Sequence, residues 1–242
     1  MNATAIIPAR YASTRLPGKP LLAQTGKPLI QYVVEAVRAA SAIARVVVAT
    51  DDQRIYDAVA GFGGEVVMTR ADHACGTDRI TEAAAKLGLG DDEIVVNVQG
   101  DEPDIPPACL ARLVQLLAGG RAEMATLATP LAADRAADPN RVKVALALDG
   151  SAMYFSRAPI PFDRDRTGRT QYLLHLGVYA YRVAFLKRFA SLAPTPAELS
   201  EKLEQLRALE HGHRIAVAVV DYDGAGIDTP QDYAAFVARR PQ

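Results

Sequence analysis

Three stretches of this sequence carry side chains whose types and spacing suit phosphate chemistry. The first is Pro8-Ala9-Arg10-Tyr11-Ala12-Ser13-Thr14-Arg15-Leu16-Pro17-Gly18-Lys19-Pro20. Its three cations, Arg10, Arg15 and Lys19, sit among small and turn-forming residues. Arginine presents a planar fork to phosphate oxygens, and lysine a mobile point charge. Backbone N–H groups in such a loop can add an anion nest. The stretch is neither GxGxxG nor GxxxxGK[ST], because Pro20 follows Lys19. Spacing alone leaves two readings open, a phosphate cradle and a solvated basic loop.

The second stretch is Asn97-Val98-Gln99-Gly100-Asp101-Glu102-Pro103. A carboxylate behind a glycine, just past a buried strand, suits Mg²⁺, which takes one or two protein carboxylates plus substrate phosphates and water. The other reading of Asp101 is a turn carboxylate or a helix cap. The third is Gly224-Ala225-Gly226-Ile227-Asp228-Thr229-Pro230. Asp228 is either a second magnesium carboxylate or an N-cap, and Asp-Thr-Pro before a helix favours the cap. Together the three stretches describe a nucleoside triphosphate and Mg²⁺ site. Nucleotidyl transfer asks of a protein mainly positioning and charge neutralisation.

Such a site needs elements that bring its parts together. Ala5–Ile7, Arg45–Thr50, Glu65–Met68 and Glu93–Val98 read as buried strands. Between and after them, Leu29–Ala40, Gln53–Phe62, Asp78–Leu87 and Pro106–Leu117 have helical spacing. That alternation predicts a mainly parallel sheet with helices on both faces, and such sheets bind ligands at the carboxyl ends of their strands. The rhythm changes near residue 120. Met124–Leu127, Val142–Leu148, Met153–Phe155 and Leu174–Tyr181 read as strands, with a charged loop over Arg157–Thr170. Helices over Val183–Ala190 and Glu198–Leu209, a strand over Ile215–Val220 and a helix over Pro230–Arg239 complete the chain.

Composition narrows the classes. The 242 residues are half hydrophobic and 23% charged, enough to bury a core without staples. With 27 basic against 28 acidic side chains the net charge is −1, which gives no whole-molecule attraction to nucleic acid or a membrane surface. Cys75 and Cys109 make no CxxC pair, so neither a disulfide scaffold nor a zinc site is expected, and a reducing cytosol fits. No secretory leader is expected from MNATAIIPAR, nor a membrane span from any apolar stretch.

The same stretches resemble a known family. PARYxSTRLPGKPL at Pro8–Leu21, VATDD at Val48–Asp52, TRADH…GTDR at Thr69–Arg79 and VNVQGDEP at Val96–Pro103 look like the 3-deoxy-manno-octulosonate cytidylyltransferases, or CMP-Kdo synthetases. So do PNxVKV at Pro139–Val144, YFSRAPIP at Tyr154–Pro161, HLGVYAYR at His175–Arg182, LEQLR at Leu203–Arg207 and GIDTPQD at Gly226–Asp232. The resemblance covers essentially the whole chain. It implies a three-layer α/β, Rossmann-like nucleotide-diphospho-sugar transferase fold. Its mixed, mainly parallel sheet would form a single domain over residues 1–242, with a smaller inserted sheet, sugar lid and dimerisation region at about 130–200.

The resemblance also implies a reaction, in which the anomeric 2-hydroxyl of Kdo attacks the α-phosphorus of CTP, giving CMP-Kdo and pyrophosphate. Arg10, Arg15 and Lys19 would neutralise the triphosphate as the catalytic cations. Pro8, Ala9, Arg10, Lys19, His73, Cys75, Gly76, Thr77 and Gln99 would bind the nucleotide. Gln99, Arg157, His175, Tyr179, Glu204 and Gln205 would line the sugar site, with Arg157 gripping the Kdo carboxylate. Asp101 and Asp228 would hold Mg²⁺. A cytoplasmic homodimer serving lipopolysaccharide synthesis is implied as well.

Each sugar-site residue also has a plainer reading: Tyr179 as core, His175 as a satisfied polar residue, Glu204 and Gln205 as a solvated helix face. Two departures stand out. Cys75 replaces the family's usual serine, and Leu209-Glu210-His211 stands where an aromatic residue follows LEQLR. Rival functions are a cytidylyltransferase for a related acid sugar, a silent nucleotide-sugar sensor, and an NAD-dependent oxidoreductase. The sensor would be expected to lose Asp101, Asp228 or Lys19, and the oxidoreductase needs a glycine fingerprint that is missing.

Overall fold

The computed structural model describes residues 3–12, 16–73, 75–120, 122–222 and 226–240. The apolar runs of the first half form parallel strands β1 (Ala3–Ala9), β2 (Ile43–Thr50), β3 (Glu65–Met68) and β4 (Ile94–Asn97). Helices α1 (Leu29–Arg38), α2 (Gln53–Gly61) and α3 (Gly76–Lys86) connect them, and α4 (Pro107–Gly119) follows β4. β5 (Met124–Leu131) comes next. A hairpin, β6 (Lys143–Leu146) with β7 (Ala152–Ser156), precedes the long strand β8 (Tyr172–Arg182). Then come α5 (Val183–Ser191), α6 (Pro196–Glu201), α7 (Gln205–Glu210), β9 (Ile215–Val219) and α8 (Pro230–Ala238).

The main sheet runs β3-β2-β1-β4-β8-β5-β9, with β8 antiparallel to both β4 and β5 and β9 parallel to β5. The hairpin joins it at the pair Lys143–Leu174 and, through its loop, at the bridge between Ser151 and Ala216 of β9. Both faces of the sheet are buried, and alternate side chains serve different cores. Ala5 and Ile7 of β1 pack with Ile30, Val33 and Val37 of α1 and with Leu110, Leu113 and Leu117 of α4. Ile6, between them, packs on the other face with Ile80 and Ala83 of α3 and Phe185 and Phe189 of α5. Period-2 strands sandwiched between apolar helix stripes give three layers, as the alternation predicts. Among the described residues no helix is long and apolar enough to cross a membrane.

Two elements differ from expectation. β5 runs four residues beyond the predicted end, to Leu131, because β8 starts at Tyr172 and pairs with it along its whole length. The helix predicted over Glu198–Leu209 is broken. Lys202 ends α6 in the left-handed region at φ +54°, and Glu204 is the N-cap of α7. Across the corner the buried Arg207 Nε donates to Glu198 Oε2 at 2.8 Å. This bond holds the bend without glycine or proline.

Candidate active site

β1 has β2 on one side and β4 on the other, so the strand order reverses between β1 and β4. Strand ends diverge there and leave a crevice. A cleft of about 420 Å³ opens at this point. Pro8, Ala9 and Arg10 line it from the end of β1, Gln99, Gly100 and Asp101 from the end of β4, and Gly76 from the start of α3. Lys19, on a short 3₁₀ turn, and Asp228, before α8, complete the wall. Gly100 permits the close approach of the two strand ends, since a Cβ there would lie 3.2 Å from the Pro8 carbonyl oxygen.

Lys19 joins the two carboxylates. Its Nζ donates to Asp101 Oδ2 at 2.6 Å and to Asp228 Oδ1 at 3.2 Å. The segments are held in register by the Ile227 N–H, which donates to the Asp101 carbonyl at 2.9 Å. The favoured capping role of Asp228 is not observed. Thr229 is the N-cap of α8, in a reciprocal capping box with Asp232. The Asp232 carboxylate also accepts from the Asp228 N–H at 3.1 Å, fixing the backbone from which the Asp228 side chain reaches Lys19. Two hard oxygen donors beside a phosphate-sized cleft match the donor set that Mg²⁺ uses. No group of three or more His, Cys, Asp or Glu is placed to hold a metal among the described residues, so substrate oxygens would have to complete such a shell.

Glu102, not singled out by sequence, lies behind Asp101. Burial, and then the Asp101 charge, push its carboxyl up to about 7, although Tyr222 donates to Glu102 Oε2 at 3.1 Å. The sequence signal was present in the GDEP run, but a second acid in a turn reads as solvated.

Arg10 ties the cleft to the start of α3. Its Nη2 donates to the carbonyls of His73 (2.8 Å) and Cys75 (3.1 Å). The His73 ring pairs with Glu82 of α3. Burial works against ionisation of Glu82, but Lys86, the Arg70 N–H and His73 outweigh it and hold this carboxyl at about 2. Cys75 is the N-cap of α3 and accepts from the Asp78 N–H at 3.5 Å. Its thiol donates to Glu204 Oε1 at 2.9 Å, and Thr77 Oγ1 donates to Glu204 Oε2 at 3.0 Å. Burial, and then Glu204, push the Cys75 thiol up to about 12, so it stays protonated and is no nucleophile. Glu204 is itself raised by burial, against the two donors that lower it.

The remaining residues gather around β8. Opposite Thr126 and Leu127 the pairing slips, so that Gly177 and Val178 bulge from β8. The Gly177 carbonyl accepts from Gln99 Nε2 at 3.4 Å, and Asn97 Oδ1 accepts from the same amide at 3.3 Å. Bulges commonly re-aim groups beside active sites. His175 lies 4.9 Å from the Phe155 ring and 5.4 Å from Tyr179. Burial lowers its pKa to about 3, so the ring is neutral. Thr126 Oγ1 has one proton and two carbonyl acceptors, Val178 at 2.8 Å and Leu176 at 3.1 Å; given to either, it leaves the oxygen to accept from His175 Nε2 at 3.1 Å. Nδ1 is then an acceptor. Burial raises the Tyr179 hydroxyl above its ordinary range.

Gln205, at the head of α7, is buried, and its Nε2 has no hydrogen-bond partner among the described residues. A buried amide donor of this kind is costly unless a ligand satisfies it. Arg157 differs. Its Nε donates to the Glu201 carbonyl at 2.7 Å, Nη1 to Pro139 at 2.9 Å and Nη2 to Lys202 at 3.4 Å. It is not among the residues lining the cleft, and nor are His175, Tyr179, Glu204 and Gln205. Arg15 lies outside the described residues.

A family model described as cytidylyltransferase matches residues 4–215. A 3-deoxy-manno-octulosonate cytidylyltransferase of Serratia proteamaculans (strain 568) is 50% identical over 240 residues, covering 96% of each chain. The solved structure of a CMP:2-keto-3-deoxy-manno-octonic acid synthetase complexed with CTP superposes with a TM-score of 0.93 at 43% identity, over 98% of both chains. A 4-diphosphocytidyl-2C-methyl-D-erythritol synthase shares the fold alone, with a TM-score of 0.66 at 18% identity over 98% of this chain and 97% of that one. With the cationic loop, the carboxylate pair and the switch-point cleft in place, the chain belongs to the cytidylyltransferase family, among the 3-deoxy-manno-octulosonate cytidylyltransferases.

Proposed function

We propose that this protein transfers CMP from CTP to 3-deoxy-D-manno-octulosonate, releasing pyrophosphate. The observation that carries this reading is Lys19, held between Asp101 and Asp228 at a strand-end cleft whose far wall is Arg10 and the start of α3. In the reaction the Kdo 2-hydroxyl oxygen forms a bond to the α-phosphorus. The bond from that phosphorus to the oxygen bridging to the β-phosphate breaks, and the hydroxyl proton passes to water. Arg10 and Lys19 neutralise the phosphates and the departing pyrophosphate, and Arg15 belongs to the same loop. When bound, Mg²⁺ on Asp101 and Asp228 supplies further charge neutralisation at the phosphates and alignment of the nucleophile. Pro8, Ala9, Gly76 and Thr77 frame the nucleotide, with the loop of His73 and Cys75 toward the base.

Gln99 lies between nucleotide and sugar, and His175 Nδ1, the Tyr179 hydroxyl and Gln205 Nε2 offer partners to sugar hydroxyls. The orphaned Gln205 donor supports that sugar-side reading. Arg157 would meet the sugar carboxylate only by giving up carbonyl bonds.

The homodimer is part of the proposal. Leu148 and Met153 of the β6–β7 hairpin and Val219 on the edge strand are large, apolar and exposed. A cytoplasmic setting in lipopolysaccharide synthesis is proposed as well, on the family resemblance. The test is pyrophosphate release with CTP, Mg²⁺ and a panel of Kdo, amino-Kdo and sialic acid, each with a UTP control. Release confined to Kdo with CTP is expected. Release with another acid would move the substrate, and none with any acid from folded protein would overturn the activity.

A further inference from the structure

Tyr11 stands at the entrance to the cationic loop. It follows Arg10, and its carbonyl accepts from the N–H of Gly18, which precedes Lys19, at 3.2 Å. Gly18 is left-handed, at φ +65°, and a Cβ there would meet the hydroxyl end of the Tyr11 ring at 3.2 Å. The neck of the cationic loop is therefore closed by one backbone bond and one ring packed on a glycine. The guanidinium of Arg54, on α2, lies over that ring, 3.4 Å from its centroid. Asp52, the α2 N-cap, holds Arg54 through Nε at 2.9 Å and Nη2 at 2.6 Å.

We propose that Tyr11 is a positioning residue: the Tyr11–Gly18 clasp, backed by Arg54, fixes the separation of Arg10 and Lys19 and pre-organises the loop for a triphosphate. Like charges on a short loop repel, and an open neck would leave that ordering to be done on binding. The inference rests on the CTP reading above.

The test compares CTP and CMP affinities, by competition, in wild type, Tyr11→Ala, Tyr11→Phe and Arg54→Ala, with a thermal melt of each. Pre-organisation for the outer phosphates predicts that Tyr11→Ala lowers the CTP-to-CMP affinity ratio by about tenfold. Tyr11→Phe keeps the ring and restores the ratio to within about twofold. Arg54→Ala, on the surface and safe for folding, should lower it by about two- to fivefold, the size of an exposed cation–π contact. Should Tyr11→Ala fail to fold, Arg54→Ala and Tyr11→Leu carry the test. A ratio that stays constant, or CTP and CMP weakened alike, would overturn the clasp. Wild type that binds CTP but releases no pyrophosphate with Kdo would sink the activity and not the clasp, and wild type that binds no CTP would sink both.

Discussion

The Cys75 thiol donates to Glu204 across 2.9 Å, joining the N-terminus of α3 to the head of α7. With the Thr77 hydroxyl, which donates to the other Glu204 oxygen at 3.0 Å, it ties the nucleotide side of the cleft to the segment that carries Gln205. A hydroxyl is a stronger donor than a thiol and a better helix cap. Cys75→Ser should therefore keep turnover and raise the melting temperature by about 1–5 °C. Cys75→Ala leaves Glu204 with one donor fewer and should cost about 1–2 kcal/mol in a denaturant titration. If Ser destabilised as much as Ala, the bond would have no energetic standing.

Asp101→Asn and Asp228→Asn keep shape and remove charge. Each should reduce kcat by about 10²-fold or more, the range seen when one transition-state electrostatic partner is lost. Helix α8 should survive both, because Thr229 and Asp232 cap it. A circular dichroism melt close to wild type with turnover lost is the expected pair of results. Full turnover in Asp228→Asn would remove that carboxylate from the chemistry.

Glu82 makes acid stability local. Its carboxyl is held at about 2, below the 4.5 of an unperturbed glutamate. A depressed acid contributes stability that is complete above the unfolded value. That contribution is lost as pH falls from about 4.5 toward about 2. Glu82→Gln should cost about 1–3 kcal/mol at pH 7 and flatten this part of the stability curve. Urea titrations at pH 7, 5 and 3 measure it, and parallel curves for both proteins would refute the assignment.

Gln205→Leu removes a buried donor that has no partner among the described residues. The free protein should lose less than about 1 kcal/mol, or gain stability, since no bond is broken. The KM for the sugar should rise, and that for CTP should not. A KM for Kdo equal to wild type would return Gln205 to the core.

The strands of the first half were legible because β1, β2 and β4 are continuous apolar runs, the mark of a sheet covered on both faces. The convergence of Lys19 and Asp101 on one cleft was legible because glycine and proline mark the loops that carry them. Asp228 was ambiguous, since a cap and a ligand have the same side chain. The Thr229 bond to the Asp232 N–H removes the capping role and leaves the other as a proposal. The break at Lys202 was invisible. It rests on a buried Glu198–Arg207 pair nine positions apart, and a continuous helix would have carried Glu204 and Gln205 on another course. The bulge at Gly177 was hidden for a similar reason, since its register is set by β5, some fifty residues earlier.

The bond between Lys19 and Asp228 spans 209 positions of the chain. During synthesis, Lys19 must wait for residue 228 to emerge from the ribosome. The parallel pairing of β5 with β9 likewise waits for residue 215. Contacts of such separation close late and slowly. A nascent chain that has not yet reached residue 228 holds Lys19 without its Asp228 partner.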